Sequence, residues 1–147
     1  MILIEPAGPL NPIPDSDLPI LARIPTLILY GDFISTSEFW ISHRSATAKL
    51  ASRIIAAGGD VTLIDLPKIG IPGNSHFIMF DRNSSQIANL IECWMKSRRL
   101  IGEDDNGNSD HECRDIDSNK HGAEMDQANA IDDGNAKRTI LGQDTDD

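Results

Sequence analysis

The 147 residues carry 23 acidic and 13 basic side chains, for a formal net charge of −10. The imbalance is local: residues 101–147 hold fourteen Asp or Glu against four Lys or Arg, whereas residues 1–100 hold nine of each. A neutral body with an acidic tail offers no basic stripe to a phosphate backbone, which speaks against nucleic acid as a partner. No apolar run approaches membrane-spanning length, so a membrane partner is not expected either.

The tail has no aromatic residue and few large aliphatics, and is rich in Asn, Gly and Asp. It cannot bury enough apolar area to offset the entropy of ordering, and 101–147 is read as a disordered acidic tail. Residues 1–100 suffice for one small domain. The first residues, MILIEP, turn acidic and prolyl after four positions. No signal peptide is therefore read there, and the compartment stays open. Cys93 falls in an expected helix and Cys113 in the tail, and together they make no disulfide framework. His111, Cys113 and His121 lack the paired spacing of a zinc site, so no metal is expected.

Ile2-Leu3-Ile4 reads as a short buried strand that leaves the sheet on Glu5 and Pro6. Residues 7–25 contain five prolines with Gly8, Asp15 and Asp17, and are read as an irregular surface excursion without a regular element. Thr26 to Tyr30 is continuously apolar and is closed by Gly31-Asp32, as expected of a parallel strand covered on both faces.

From Trp40 to Ala57 the spacing becomes helical. Trp40, His43, Thr47, Leu50, Ala51 and Ile54 form one stripe, and Gly58-Gly59 should stop the helix. His43 is assigned a structural place. Val61 to Ile64 is the third strand, ended by Asp65-Leu66-Pro67. A Gly-Asn-Ser-His loop follows, and then Asn83 stands as N-cap with Gln86 in the capping-box position of a second amphipathic helix. Ile87, Leu90, Ile91, Trp94 and Met95 form its apolar stripe, with Lys96, Arg98 and Arg99 at the negative end of its dipole.

The alternation is that of an α/β parallel sheet. Three strands and two main helices are a thin allotment, however. Strands apolar on both faces need two covering layers, and a parallel strand at the open edge is left unpaired. The residues themselves thus imply a sheet that is part of a larger one.

Three blocks carry a resemblance: Ile4-Glu5-Pro6, Gly31-Asp32, and Gly70-Ile71-Pro72-Gly73-Asn74-Ser75-His76 continuing into Asp81-Arg82-Asn83. Over residues 2–99 the chain resembles the C-terminal end of an α/β-hydrolase. More narrowly, it is similar to a group of bacterial and fungal serine esterases whose triad acid follows the sixth strand in a Glu-Pro turn. The resemblance implies a partial α/β-hydrolase fold of about three parallel strands, with His76 as general base and Glu5 as its orienting carboxylate. Asp32 stands at the alternative acid position. It also implies a small-molecule ester as the parent enzyme's substrate, hydrolysed without cofactor or metal.

Such a reaction needs a serine nucleophile on a G-x-S-x-G elbow, and no serine of the chain has that context. The expectation is therefore an incomplete catalytic triad, inactive by itself. Two alternatives accompany it. The chain could be a non-catalytic hydrolase remnant that binds partners through its exposed sheet edge, whether an N-terminal half or a second copy. It could also be a truncated gene product whose residues 101–147 come from a shifted frame.

Overall fold

The computed structural model describes residues 1–9, 11–102 and Cys113. Three parallel strands, β1 (Ile2–Ile4), β2 (Thr26–Tyr30) and β3 (Val61–Asp65), form one sheet in the order β1-β2-β3. The register pairs Ile2 with Leu27 on one side, and Thr26 with Val61 through Tyr30 with Asp65 on the other. The strands belong to an α/β layer whose helices are α1 (Leu18–Leu21), α2 (Glu38–Ala56) and α3 (Ser84–Ser97).

Alternation along β2 decides the layers. Leu27 and Leu29 point to one face and pack with Ile64, Ile78, Ile87 and Trp94, the last two from α3. Ile28 and Tyr30 point to the other and pack with Leu18, Ile34, Ala51 and Ile54, the last two from α2. All five residues of β2 are buried, as a continuously apolar central strand requires. Trp94 is fully buried and donates its Nε1–H to Thr62 Oγ1 at 3.0 Å, so its one polar group is satisfied inside the layer.

Helix α2 begins two residues before the expected Trp40 and ends where the glycines intervene. Its buried residues, His43, Thr47, Ala51 and Ile54, follow the spacing read from the sequence. Gly58 takes a left-handed φ of +87°, and a Cβ at Gly59 would meet Ile54 Cγ2 at 2.6 Å. Both glycines are used, the first for conformation and the second for close packing.

Four expectations need correction. The 7–25 excursion contains a 3-10 turn at Asp15–Asp17 and the one-turn helix α1, anchored by the buried side chain of Leu18. Strand β1 is not buried: Ile2 is 38% exposed and Leu3 and Ile4 are only half-buried, because β1 has β2 on one side and, among the described residues, no neighbouring strand on the other. Cys93 and Cys113 are joined by a disulfide, their Cα atoms 5.5 Å apart, a long-range pairing that a 20-residue separation does not reveal. Asn83 precedes α3 but makes no side-chain cap; its amide is engaged elsewhere, as described below. The remainder of the expected disordered tail lies outside the described residues, as do His111 and His121.

One ion-pair cluster closes the far edge. Asp65 at the end of β3 receives Arg44 of α2 in a two-point contact, at 2.9 Å from Nε and 2.5 Å from Nη2, with Lys68 at 3.1 Å. Burial pushes the Asp65 carboxyl up, but the Arg44 hydrogen bonds and charge, joined by Lys68, outweigh it and hold the group below its ordinary 3.8. A carboxyl lowered in the folded state adds stability above its unfolded value and loses it as pH falls through its folded one. Asp65→Asn is accordingly expected to be less stable than the parent at neutral pH, with the gap closing as pH falls below 3.8, as read by urea midpoints along a pH series.

Candidate active site

Because the strands are parallel, their C-terminal ends meet along one edge of the layer, the usual place for chemistry in open α/β sheets. Glu5 leaves β1 there, Gly31 and Asp32 leave β2, and the loop after β3 brings back His76.

Glu5 turns out of the strand with φ +48°, a left-handed conformation that is uncommon for a residue with a Cβ. Its amide still donates to Leu29 O at 2.9 Å, so the ladder continues while the side chain is redirected. The carboxylate is almost wholly buried, its side chain 4% exposed. Oε1 accepts the backbone N–H of Gly31, and Oε2 lies 2.8 Å from His76 Nδ1. An ionised carboxylate only accepts, so this pairing puts the ring proton on Nδ1 and leaves the lone pair on Nε2. Among the described residues no group bonds Nε2, and the His76 side chain is 28% exposed.

Asp32 takes a different part. Its Oδ2 accepts the backbone N–H groups of Gly73 and Asn74, at 2.5 and 2.8 Å, and its own N–H donates to Asn74 O at 3.0 Å. The carboxylate is thus spent on the backbone of the histidine loop and not on the imidazole. Gly31 is required beside it: a Cβ there would stand 2.7 Å from Asn74 O and 3.0 Å from Glu5 Oε1.

Three polar side chains that the sequence reading left without a site role hold the loop from the other side. Asn74, only 1% exposed, exchanges two amide bonds with Asn83: Asn74 Nδ2 donates to Asn83 Oδ1 at 2.8 Å and Asn83 Nδ2 to Asn74 Oδ1 at 3.1 Å. Asp81 accepts from the Ser75 backbone N–H at 2.7 Å and from Ser75 Oγ at 2.9 Å. The Ser75 backbone bond, helped by the Ser75 hydroxyl and Asn74, holds the Asp81 carboxyl below its usual range. The Asn-Ser-His and Asp-Arg-Asn blocks were read together in the sequence. Their short spacings, six residues from Ser75 to Asp81 and nine from Asn74 to Asn83, were the available signal that they face each other.

A fourth residue left without a site role is Trp40. Its ring lies against the imidazole, with centroids 3.8 Å apart and planes inclined by 37°. In the sequence it counted only as part of the α2 stripe. His43, one turn on, is buried and packs against the Phe39 ring at 4.2 Å, the structural place expected of it.

The arrangement brings Glu5 and His76 together and keeps Asp32 off the ring. Chemically, a carboxylate on Nδ1 with a half-open Nε2 can accept a proton from a hydroxyl placed there, and stabilise the imidazolium that results. Ser75 does not supply that hydroxyl, since its Oγ is bonded to Asp81.

Comparison with known proteins agrees at the level of the fold. A solved structure described as the atomic-resolution structure of a novel bacterial esterase matches with 34% sequence identity and a TM-score of 0.59. The match covers 65% of this chain and 29% of that one, so this chain corresponds to less than a third of the esterase's length. No protein-family model matches the chain, and no curated protein does. The fold is esterase-like, in an α/β layer smaller than the esterase it resembles.

The loop network can be tested separately from chemistry. Serine replaces asparagine at an N-cap at little cost, so Asn83→Ser would be nearly neutral if Asn83 only capped α3. With the amide pair in place, the substitution leaves the buried Asn74 Oδ1 without its donor and is expected to cost about 1–3 kcal/mol in urea unfolding.

Proposed function

We propose that the chain is the C-terminal, histidine- and acid-bearing portion of a carboxylic ester hydrolase. His76 is the general base, Glu5 its orienting carboxylate, and the serine nucleophile comes from outside the described residues. The observation that carries this reading is the buried Glu5 carboxylate 2.8 Å from His76 Nδ1, at the strand ends of an esterase-like fold.

In the reaction, Nε2 takes the serine proton as the serine oxygen bonds to the ester carbonyl carbon. Nε2 then returns that proton to the departing alcohol as the acyl C–O bond breaks. Water repeats the sequence to release the acid. Throughout, Glu5 keeps Nδ1 protonated and faces the positive charge of the ring. Asp32 serves the loop backbone in this reading.

The purified chain with an activated aryl ester is expected to give no burst of product and no turnover beyond that of free imidazole. A burst abolished by a serine-directed phosphonate would overturn the reading that the nucleophile lies elsewhere. In a reconstituted enzyme, pairing this chain with the part of the similar bacterial esterase that the match leaves uncovered, Glu5→Gln is expected to lower kcat by about 10⁴-fold and His76→Ala at least as much.

A second reading, a partner-binding remnant, is favoured by the surroundings of β1. Apolar grooves flank the open strand on both faces. One, of about 350 Å³, is lined by Leu3, Leu21, Leu50 and Ile54 on the α2 side. The other, of about 330 Å³, is lined by Ile4, Met79, Ile87 and Ile91 on the α3 side. A polypeptide that adds a strand beside Ile2–Ile4 and apolar side chains to both grooves would bury them. Size-exclusion chromatography tests this reading: association abolished by Ile2→Lys is expected, and a cooperatively melting monomer counts against it.

A further inference from the structure

A single hydrogen bond at Nδ1 fixes one direction of an imidazole but not its plane. About the Nδ1···Oε2 line the ring can still tilt, and with it the direction in which Nε2 presents its lone pair. His76 sits on a loop, its side chain half-buried, so packing by its own segment does not remove that freedom.

The geometry points to Trp40 as the residue that removes it. The indole and imidazole centroids lie 3.8 Å apart with their planes inclined by 37°, close enough that the imidazole cannot swing toward the indole. Trp40 is mounted in the first turn of the 19-residue helix α2, an element different from those that carry Glu5 and His76. Its ring is braced edge-on by Phe39 at 5.1 Å, and Phe39 in turn lies on the buried His43. Three elements thus define the imidazole: the end of β1 sets the Nδ1 direction, the loop sets the Cβ position, and α2 sets the plane.

The contact has a second consequence. When Nε2 accepts a proton, the ring charge is met at its edge by Glu5 and on its face by the electron-rich indole, which attracts cations. The same face keeps water from one side of the ring. Trp40 is therefore a positioning residue for the general base, acting through His76 and not on the reacting atoms. This role rests on the Glu5–His76 reading above.

Long-range ¹H–¹⁵N NMR of the full chain tests it without any nucleophile, with His76→Asn identifying the ring signals, at about pH 8 where an ordinary imidazole is neutral. The wild type is expected to show one tautomer, protonated at Nδ1 and bare at Nε2, with ring protons displaced upfield by the indole. Trp40→Leu is expected to lose the displacement and to move both nitrogen resonances toward the averaged positions of a mobile, exchanging imidazole. Trp40→Phe is expected to restore the single tautomer. A Trp40→Leu variant that melts cooperatively and keeps the wild-type nitrogen pattern overturns the proposal, because an indole that merely fills space would take only the ring-current displacement with it. Should that variant not fold, the other two samples decide. Undisplaced ring protons in the wild type, or an averaged tautomer in a folded Trp40→Phe, overturn the proposal; the opposite results support it. Glu5→Ala, which leaves no side-chain acceptor at Nδ1, keeps the two readings apart. An unchanged nitrogen pattern there removes the Glu5–His76 pair, whereas a change there with none in Trp40→Leu leaves the pair standing and removes Trp40.

Discussion

The Glu5 carboxylate is the point at which the three strands become one site. It leaves β1 in a left-handed conformation, accepts the first backbone N–H beyond β2, and reaches the imidazole delivered by the segment after β3. A buried carboxylate needs partners for its oxygens, and here the partners come from two other parts of the chain. The cost of burying the charge and bending the backbone is therefore met only when all three strands are in register. The site and the sheet are in this sense one structure.

Two acidic residues stand at neighbouring strand ends, and their environments divide them. Glu5 has the longer side chain and faces the ring. Asp32 is drawn to two consecutive backbone N–H groups of the loop. With Asp81 on Ser75 and the Asn74–Asn83 amide pair, the loop backbone is held from both sides before any ligand is present. A side chain on a loop held in this way has little freedom left to lose, and such supporting bonds decide whether it is merely near its partner or aimed at it. Asn83 illustrates the competition: the bond it makes across the loop is the one it does not make to the helix N-terminus.

Among the described residues the layer around the site is open beside β1. Strand β2 is covered on both faces and paired on both edges, whereas β1 has one paired edge and apolar grooves above and below it. The similar bacterial esterase is more than three times the length of the matched region. A sheet so arranged has room beside β1 for further strand and helix, and the surfaces lining that room are apolar.

Much of this was legible in the residues. Continuous hydrophobicity from Thr26 to Tyr30 determined a strand buried on both faces, a three-four spacing determined α2 and α3, and Gly58-Gly59 determined where α2 stops, because these are local consequences of backbone geometry and side-chain periodicity. The Glu-Pro turn and the Gly-Asn-Ser-His loop marked Glu5 and His76 as candidates, but 71 residues separate them, and no local rule could choose between Glu5 and Asp32. In the tertiary structure Glu5 Oε2 faces the ring while Asp32 is bonded to the loop backbone, an arrangement that depends on the ends of β1 and β2 lying side by side. The exposure of β1, the Cys93–Cys113 bond, the diversion of Asn83 and the indole on the imidazole were likewise decided by tertiary structure. Each depends on which distant segment arrives at a given place, and sequence periodicity records what a residue faces but not what it meets.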